Sequence, residues 1–202
     1  MSISFLWIIL AMGLYGGLHS WLASKPAKEL VFGWLGPLAN RFYRLLYNLI
    51  GFLTFLPVLW LVKVLPDKSL YSIQPPWIIL TGVLQLLAVL GLLVGVFQTG
   101  ALSFLGLTQI YQAVENEQPA HLVVKGLYRW VRHPLYTCGL LFIWLSPFIS
   151  MNWLAFNLSV SLYILVGIQF EERKLLAEYG ENYYKYRRLT PMLIPRLVFN
   201  RH

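Results

Sequence analysis

Two polar runs interrupt an otherwise apolar chain, and they hold the residues able to do chemistry. The first is Gly126-Leu127-Tyr128-Arg129-Trp130-Val131-Arg132-His133-Pro134-Leu135-Tyr136-Thr137-Cys138-Gly139. Pro134 suits the first turn of a helix, because its missing N–H would have no partner there in any case. The remaining N–H groups of that turn and the helix dipole favour an anion beside Arg132 and His133. The plainer reading is an interfacial anchor, with arginines on lipid phosphates and aromatic rings at headgroup level. The second run is Glu171-Glu172-Arg173-Lys174-Leu175-Leu176-Ala177-Glu178-Tyr179-Gly180, followed by Tyr183, Tyr184 and Tyr186. Two adjacent carboxylates at a membrane boundary are costly unless paired or hydrated. They would form either a solvated acidic turn with Arg173 or Lys174, or a grip for a cationic or hydroxyl-bearing ligand. Gly180 is placed to stop the helix as a left-handed residue, which leaves Glu171 and Leu175 on one helical face.

Other chemistries lack their residues. The histidines His19, His121, His133 and His202 are scattered, and no Cys/His cluster has metal-ligand spacing. A Ser-His-Asp arrangement would need Asp67, the sole aspartate, which lies on the side of the membrane opposite both runs. No Gly-rich phosphate loop follows a strand. Gly13, Gly16 and Gly17 sit inside the first apolar segment, where small residues permit close helix packing. His19 shares that segment. An intramembrane histidine is either a site residue or a structural one bonded to a neighbouring helix.

The elements that must position these residues are membrane helices. Of 202 residues, 12% are charged and 58% hydrophobic, and the mean hydropathy is +0.62. A soluble domain carries about 25% charged residues. Five apolar segments are predicted to span: about 3–22, 45–65, 77–97, 135–149 and 153–170, the last two forming a tight hairpin. Pro147 predicts a tilt or kink near the end of the short fourth span. The first segment lacks a basic leader and is too long and apolar for a signal peptide. Of the 16 basic residues, all but Lys63 and Lys68 fall on alternate connections that share one side. The positive-inside rule then places the N-terminus outside and the C-terminal tail in the cytoplasm. The net charge of +8 is thereby assigned to a membrane face rather than to nucleic acid. Cys138 is alone and forms no internal disulfide. The expectation is an all-α integral membrane protein of one domain, with three spans over 1–97 and a core over 98–202. Its C-terminal helical hairpin and cytosolic tail would form the ligand site.

Taken together, the two runs resemble the membrane-embedded methyltransferases that include isoprenylcysteine carboxyl methyltransferase and the phospholipid methyltransferases. Arg132-His133-Pro134-Leu135-Tyr136, Glu171-Glu172, Gly180, Tyr183 and Tyr186 match that family's signature over roughly 105–195. Within it the chain looks most like the methanethiol S-methyltransferases, on Phe104-Leu105-Gly106-Leu107-Thr108-Gln109, the stretch 163–173, Pro191-Met192-Leu193-Ile194-Pro195 and His19-Ser20. The resemblance implies S-adenosylmethionine as cofactor. Carried over by position, its binding residues would be Ala120, His121, Leu122, Val123, Tyr128, Arg132, His133, Pro134, Leu135, Tyr136 and Glu171. The family often has histidine at the first of these, where this chain has Ala120 followed by His121. Glu172 and His19 are the candidates for removing a proton from the acceptor.

One departure bears on the acceptor. Isoprenylcysteine methyltransferases carry an arginine four residues before the first glutamate, and here that residue is Gly167. A carboxylate acceptor would lack its charge-matched partner, so the resemblance implies S-methylation of a small thiol such as methanethiol. The alternatives are an isoprenylcysteine carboxyl, a lipid amine or another lipophilic acceptor. From a different class comes a haem-binding membrane protein with His19 and His133 as axial ligands. The partners implied are a small lipophilic or thiol substrate and membrane lipid, with no nucleic acid and no obligate protein partner.

Overall fold

The computed structural model describes residues 2–111 and 122–196. Its helices are α1 (Ile3–Ala23), α2 (Lys25–Leu35), α3 (Pro37–Val64), α4 (Trp77–Gln98), α5 (Ala101–Leu105), α6 (Thr108–Tyr111), α7 (Pro134–Trp144), α8 (Met151–Tyr179) and α9 (Glu181–Leu189). A 3-10 turn covers Gly126–Arg129, and two short strands, β1 (Ser69–Ser72) and β2 (Phe148–Ser150), pair as a two-stranded sheet. The strands are an addition to the all-helical expectation. Helix boundaries follow local chemistry. Ser2 caps α1 by accepting from the Phe5 N–H, and Ser24 caps α2 from the Ala27 N–H, with Pro26 in its first turn.

Four of the described helices are long and apolar enough to cross a membrane: Ile3–Ala23, Arg41–Val64, Trp77–Gln98 and Met151–Tyr179. The expected fourth span behaves differently. Residues 135–149 are helical only as far as Trp144, so α7 has 11 residues and a rise of about 16 Å, about half a bilayer core. The chain leaves helix at Leu145, ahead of Ser146-Pro147, because proline disfavours helix in the residue before it. By contrast, α8 runs 29 residues without a break, about 43 Å, and carries Glu171 and Glu172 beyond its apolar stretch.

The chain divides into two compact units. The first comprises 1–71, 100–120 and 149–160. Its core joins Phe5, Ile8 and Met12 of α1 to Val58 and Val62 of α3 and to Ala155 and Phe156 at the start of α8. Asn152 fastens α8 to α3. Its Nδ2 donates to the Val62 and Leu65 carbonyls at 3.3 and 3.1 Å, which lie at the end of α3 and lack helical partners. Its own backbone N–H is accepted by Asp67 Oδ1 at 3.0 Å. Asp67 is thereby structural. Asn152→Leu would strand two carbonyls in a site where Asn152 has 0% exposure, at about 2–4 kcal/mol. Denaturant titration in detergent should show a lower midpoint, and an unshifted one would remove the clamp.

The second unit comprises 72–99, 121–148 and 161–202. Here α4 and α7 pack closely. A Cβ on Gly91 would lie 2.6 Å from Cys138 Sγ, and one on Gly95 would lie 2.8 Å from Leu135 Cδ2. Small residues therefore set this contact. Gln98, at the end of α4, accepts from the Leu127 N–H at 3.1 Å and anchors the 3-10 turn. Gly126 opens that turn at φ +63, and a side chain there would meet the Gln98 amide at 2.0 Å. Trp144 Nε1 donates to Ser161 Oγ at 2.9 Å, tying α7 to α8.

Candidate active site

The start of α7 is held by the chain's own C-terminal segment. The Arg132 and His133 N–H groups donate to the Pro191 and Met192 carbonyls at 2.9 and 3.1 Å, like two rungs of a ladder. Pro134 opens the helix at its first turn, as its chemistry requires. Gly180, at φ +53, stops α8 and turns the chain into α9. In this way residues separated widely in sequence meet: Arg132 and His133 just ahead of α7, Glu171 and Glu172 from α8, and Tyr183, Tyr186 and Arg187 from α9.

The anion beside Arg132 and His133 is internal. Glu172 Oε1 accepts from Arg132 Nε at 2.7 Å and from His133 Nε2 at 3.2 Å, while its Oε2 faces Arg187 Nε at 3.3 Å. Arg132 is itself fully employed, with one terminal nitrogen donating to the Thr190 carbonyl at 2.6 Å and the Arg187 carbonyl at 3.1 Å. The two glutamates divide the options open to adjacent carboxylates. Glu172 is paired, its side chain 6% exposed, whereas Glu171 is 42% exposed and has His133 Nδ1 at 3.8 Å. A carboxylate bonded to two guanidinium groups and an imidazole has little basicity to spare. Glu172 is therefore held by Arg132, His133 and Arg187, and Glu171 keeps an exposed carboxylate surface.

Tyrosines line the cluster. Burial and the Glu171 charge push the Tyr128 phenol up to about 12. Burial, then Glu172, pushes Tyr183 up to about 12, against the pull of Arg132. Both are neutral groups at any physiological pH, able to donate a hydrogen bond but not to act as bases. Tyr186 is raised as well, chiefly by burial, and its hydroxyl donates to the Tyr128 carbonyl at 2.6 Å. Tyr183 is 1% exposed, with its hydroxyl beside the Arg132 guanidinium. The Tyr136 ring stacks on His133 at 5.7 Å.

A cavity of about 490 Å³ adjoins this cluster, lined by Leu122, Val124, Arg129, Asn182, Tyr186 and Thr190, among others. Its volume is that of a small-molecule site, and its walls mix apolar surface with hydrogen-bonding groups. Its size suits a nucleoside-sized ligand, with Arg129, Asn182, Tyr186 and Thr190 as the polar groups on its wall. The structure thus brings together Tyr128, Arg132, His133, Pro134, Tyr136, Glu171 and Glu172, and places Leu122 on the cavity wall. Val123 is half-buried next to it. Leu135 faces Gly95 of α4. Ala120 and His121 lie outside the described residues. His19 belongs to the first unit, where its Nε2 bonds to the Tyr47 hydroxyl at 2.6 Å and its ring stacks on Tyr15 at 5.5 Å. Sequence reasoning missed Arg187, Asn182 and Thr190. Only the neighbouring Tyr183 and Tyr186, spaced as in the signature, pointed to that segment.

Comparison with known proteins bears on this arrangement. The Phospholipid methyltransferase family model matches residues 79–182, which include the α4 and α7 packing and both glutamates. Methanethiol S-methyltransferase 2 of Bradyrhizobium diazoefficiens is 34% identical over 198 residues, covering 96% of this chain and 74% of the relative. Methanethiol S-methyltransferase of Mycobacterium tuberculosis is 30% identical over 189 residues, 93% of this chain and 76% of the relative. That of Crocosphaera subtropica is 40% identical over 105 residues, 51% of this chain and 41% of the relative. The chain thus spans less than half of that last protein. No solved structure matches the chain significantly.

Proposed function

Because the chain belongs to the phospholipid methyltransferase family, we propose that it transfers a methyl group from S-adenosylmethionine to the sulfur of a small thiol such as methanethiol. The observation that carries this reading is the 34% identity, over 96% of the chain, to a protein named for that reaction. Gly167 supports it. At the position where a carboxylate acceptor would want an arginine, there is no side chain, and a Cβ would meet nothing within 4 Å.

When bound, the cofactor supplies an electrophilic methyl carbon on a sulfonium sulfur. In this proposal Leu122, Val123, Tyr128 and Tyr186 hold its nucleoside. The half-exposed Glu171 accepts from a ribose hydroxyl or the amino group, and the Tyr128 and Tyr136 rings face positive charge. Arg132, His133 and Arg187 hold Glu172, and Glu172 in turn fixes the spacing of α7, α8 and α9. The thiol must lose its proton before it attacks. Glu171, beside His133, is the carboxylate with an open lone pair, while Glu172 and His19 were the sequence's candidates. Positioning of the acceptor in a site that excludes water supplies much of the rate.

The membrane arrangement is part of the same proposal. Eleven helical residues of α7 followed by the six of 145–150 reach at most about 36 Å. This segment therefore serves as a fifth crossing despite its short helix. The N-terminus then lies outside, and the basic tail with the site lies in the cytoplasm.

The test is transfer of label from S-adenosylmethionine in detergent to methanethiol, a farnesylcysteine analogue and phosphatidylethanolamine. Label should appear in dimethyl sulfide. Gly167→Arg should shift the kcat/KM ratio from the thiol toward the carboxylate, since it supplies a charge-matched partner at that position. A wild-type kcat/KM that favours the carboxylate or the lipid amine over the thiol overturns the acceptor assignment.

A further inference from the structure

Beside the polar cluster runs a groove of about 600 Å³ with almost wholly apolar walls, among them Thr137, Leu141, Trp144, Leu165, Met192 and Leu193. Its walls are bonded to the segments that carry the site. Thr137 Oγ1 donates to the His133 carbonyl at 3.1 Å and to the Leu193 carbonyl at 2.8 Å, and the His133 N–H donates to the Met192 carbonyl. Leu165 stands two helical turns before Glu172, on the same side of α8. The segments that fix His133 and Glu172 therefore also build the near end of the groove.

Its chemistry is restrictive. The two polar side chains in its wall are already engaged, Thr137 as above and Trp144 with Ser161 Oγ at 2.9 Å. Among the described residues, no side chain in its wall offers a free donor to a carboxylate or a phosphate. Along α7 the groove extends from Thr137 to Trp144, about 10 Å. A one-carbon thiol would occupy a small fraction of it.

We propose that this groove takes the hydrocarbon part of the acceptor, so that the favoured substrates are thiols carrying an apolar tail of several carbons, with methanethiol the smallest of the series. The proposal rests on the reading that the acceptor is a thiol. The reaction is unchanged along the series. One bond forms, from the acceptor sulfur to the methyl carbon. One bond breaks, between that carbon and the donor sulfonium sulfur, which keeps the electron pair, and the thiol proton is released to solvent.

The experiment is a kcat/KM series for straight-chain thiols from methanethiol to hexanethiol, with labelled S-adenosylmethionine, for wild type, Leu165→Trp and Leu86→Trp. Each methylene moved from water into the groove should raise wild-type kcat/KM about fourfold. Leu165→Trp, which fills the groove, should cut the hexanethiol-to-methanethiol ratio at least tenfold. Leu86→Trp adds the same bulk to an exposed position on α4 and should keep the wild-type ratio. Partition of the tail into detergent is common to all three proteins, so a change in ratio belongs to the groove. Leu141→Trp replaces Leu165→Trp if the latter does not fold. A flat or falling wild-type series, with methanethiol turned over, overturns the proposal and leaves the thiol reading standing. So does a ratio that Leu165→Trp and Leu141→Trp leave unmoved. No turnover of any thiol overturns the thiol reading and this proposal with it.

Discussion

Arg132→Met is expected to destabilise the protein by about 3–5 kcal/mol, because it leaves the Glu172 carboxylate buried with too little positive charge around it. The lost contacts go beyond the ion pair. The same guanidinium donates to the carbonyls of Arg187 and Thr190, so its removal also frees the segment that braces the start of α7. Denaturant midpoints in detergent measure the loss. Arg132→Met combined with Glu172→Gln should regain most of it, because the stranded charge is then gone. A single variant within about 1 kcal/mol of wild type would show that water or another cation reaches Glu172, against the burial seen here.

The second large effect separates neighbours in sequence. Glu171→Ala should weaken S-adenosylmethionine binding roughly 10- to 150-fold, the range for losing a hydrogen bond to a charged group, and leave stability near wild type. Glu172→Ala should instead lower stability, since Arg132, His133 and Arg187 would then face one another unpaired. His133→Ala, which touches both carboxylates, should do some of each. Calorimetric titration alongside thermal unfolding distinguishes the two behaviours. If Glu171→Ala binds as tightly as wild type, the cofactor does not meet this carboxylate.

The features legible in the sequence are those with a local cause. Pro134 had to open a helix and Gly180 had to end one, and both do so. The long apolar stretches of α1, α3, α4 and α8 follow from composition alone. The requirement that the adjacent glutamates be paired or hydrated also held, one glutamate taking each course. What escaped was non-local. Nothing in the spacing says that Arg132 reaches a carboxylate 40 residues on, or carbonyls 55 and 58 residues on. The short α7 escaped for another reason. A hydropathy window over 135–149 registers apolar side chains and is blind to a backbone that leaves helix at Leu145. The small strands were hidden likewise, since each is only three or four residues long.

The ladder between 132–133 and 191–192 has a bearing on how the protein is made. A ribosome adds roughly 5–20 residues per second, so the 58 residues separating Arg132 from Thr190 take about 3–12 s to emerge. Throughout that interval α7 is already synthesised, yet its first turn has no partner, and Arg132 waits for Glu172 through the first 40 of those residues. Completion of the site therefore waits for residues 187–192, which supply the carbonyls that hold Arg132 and His133.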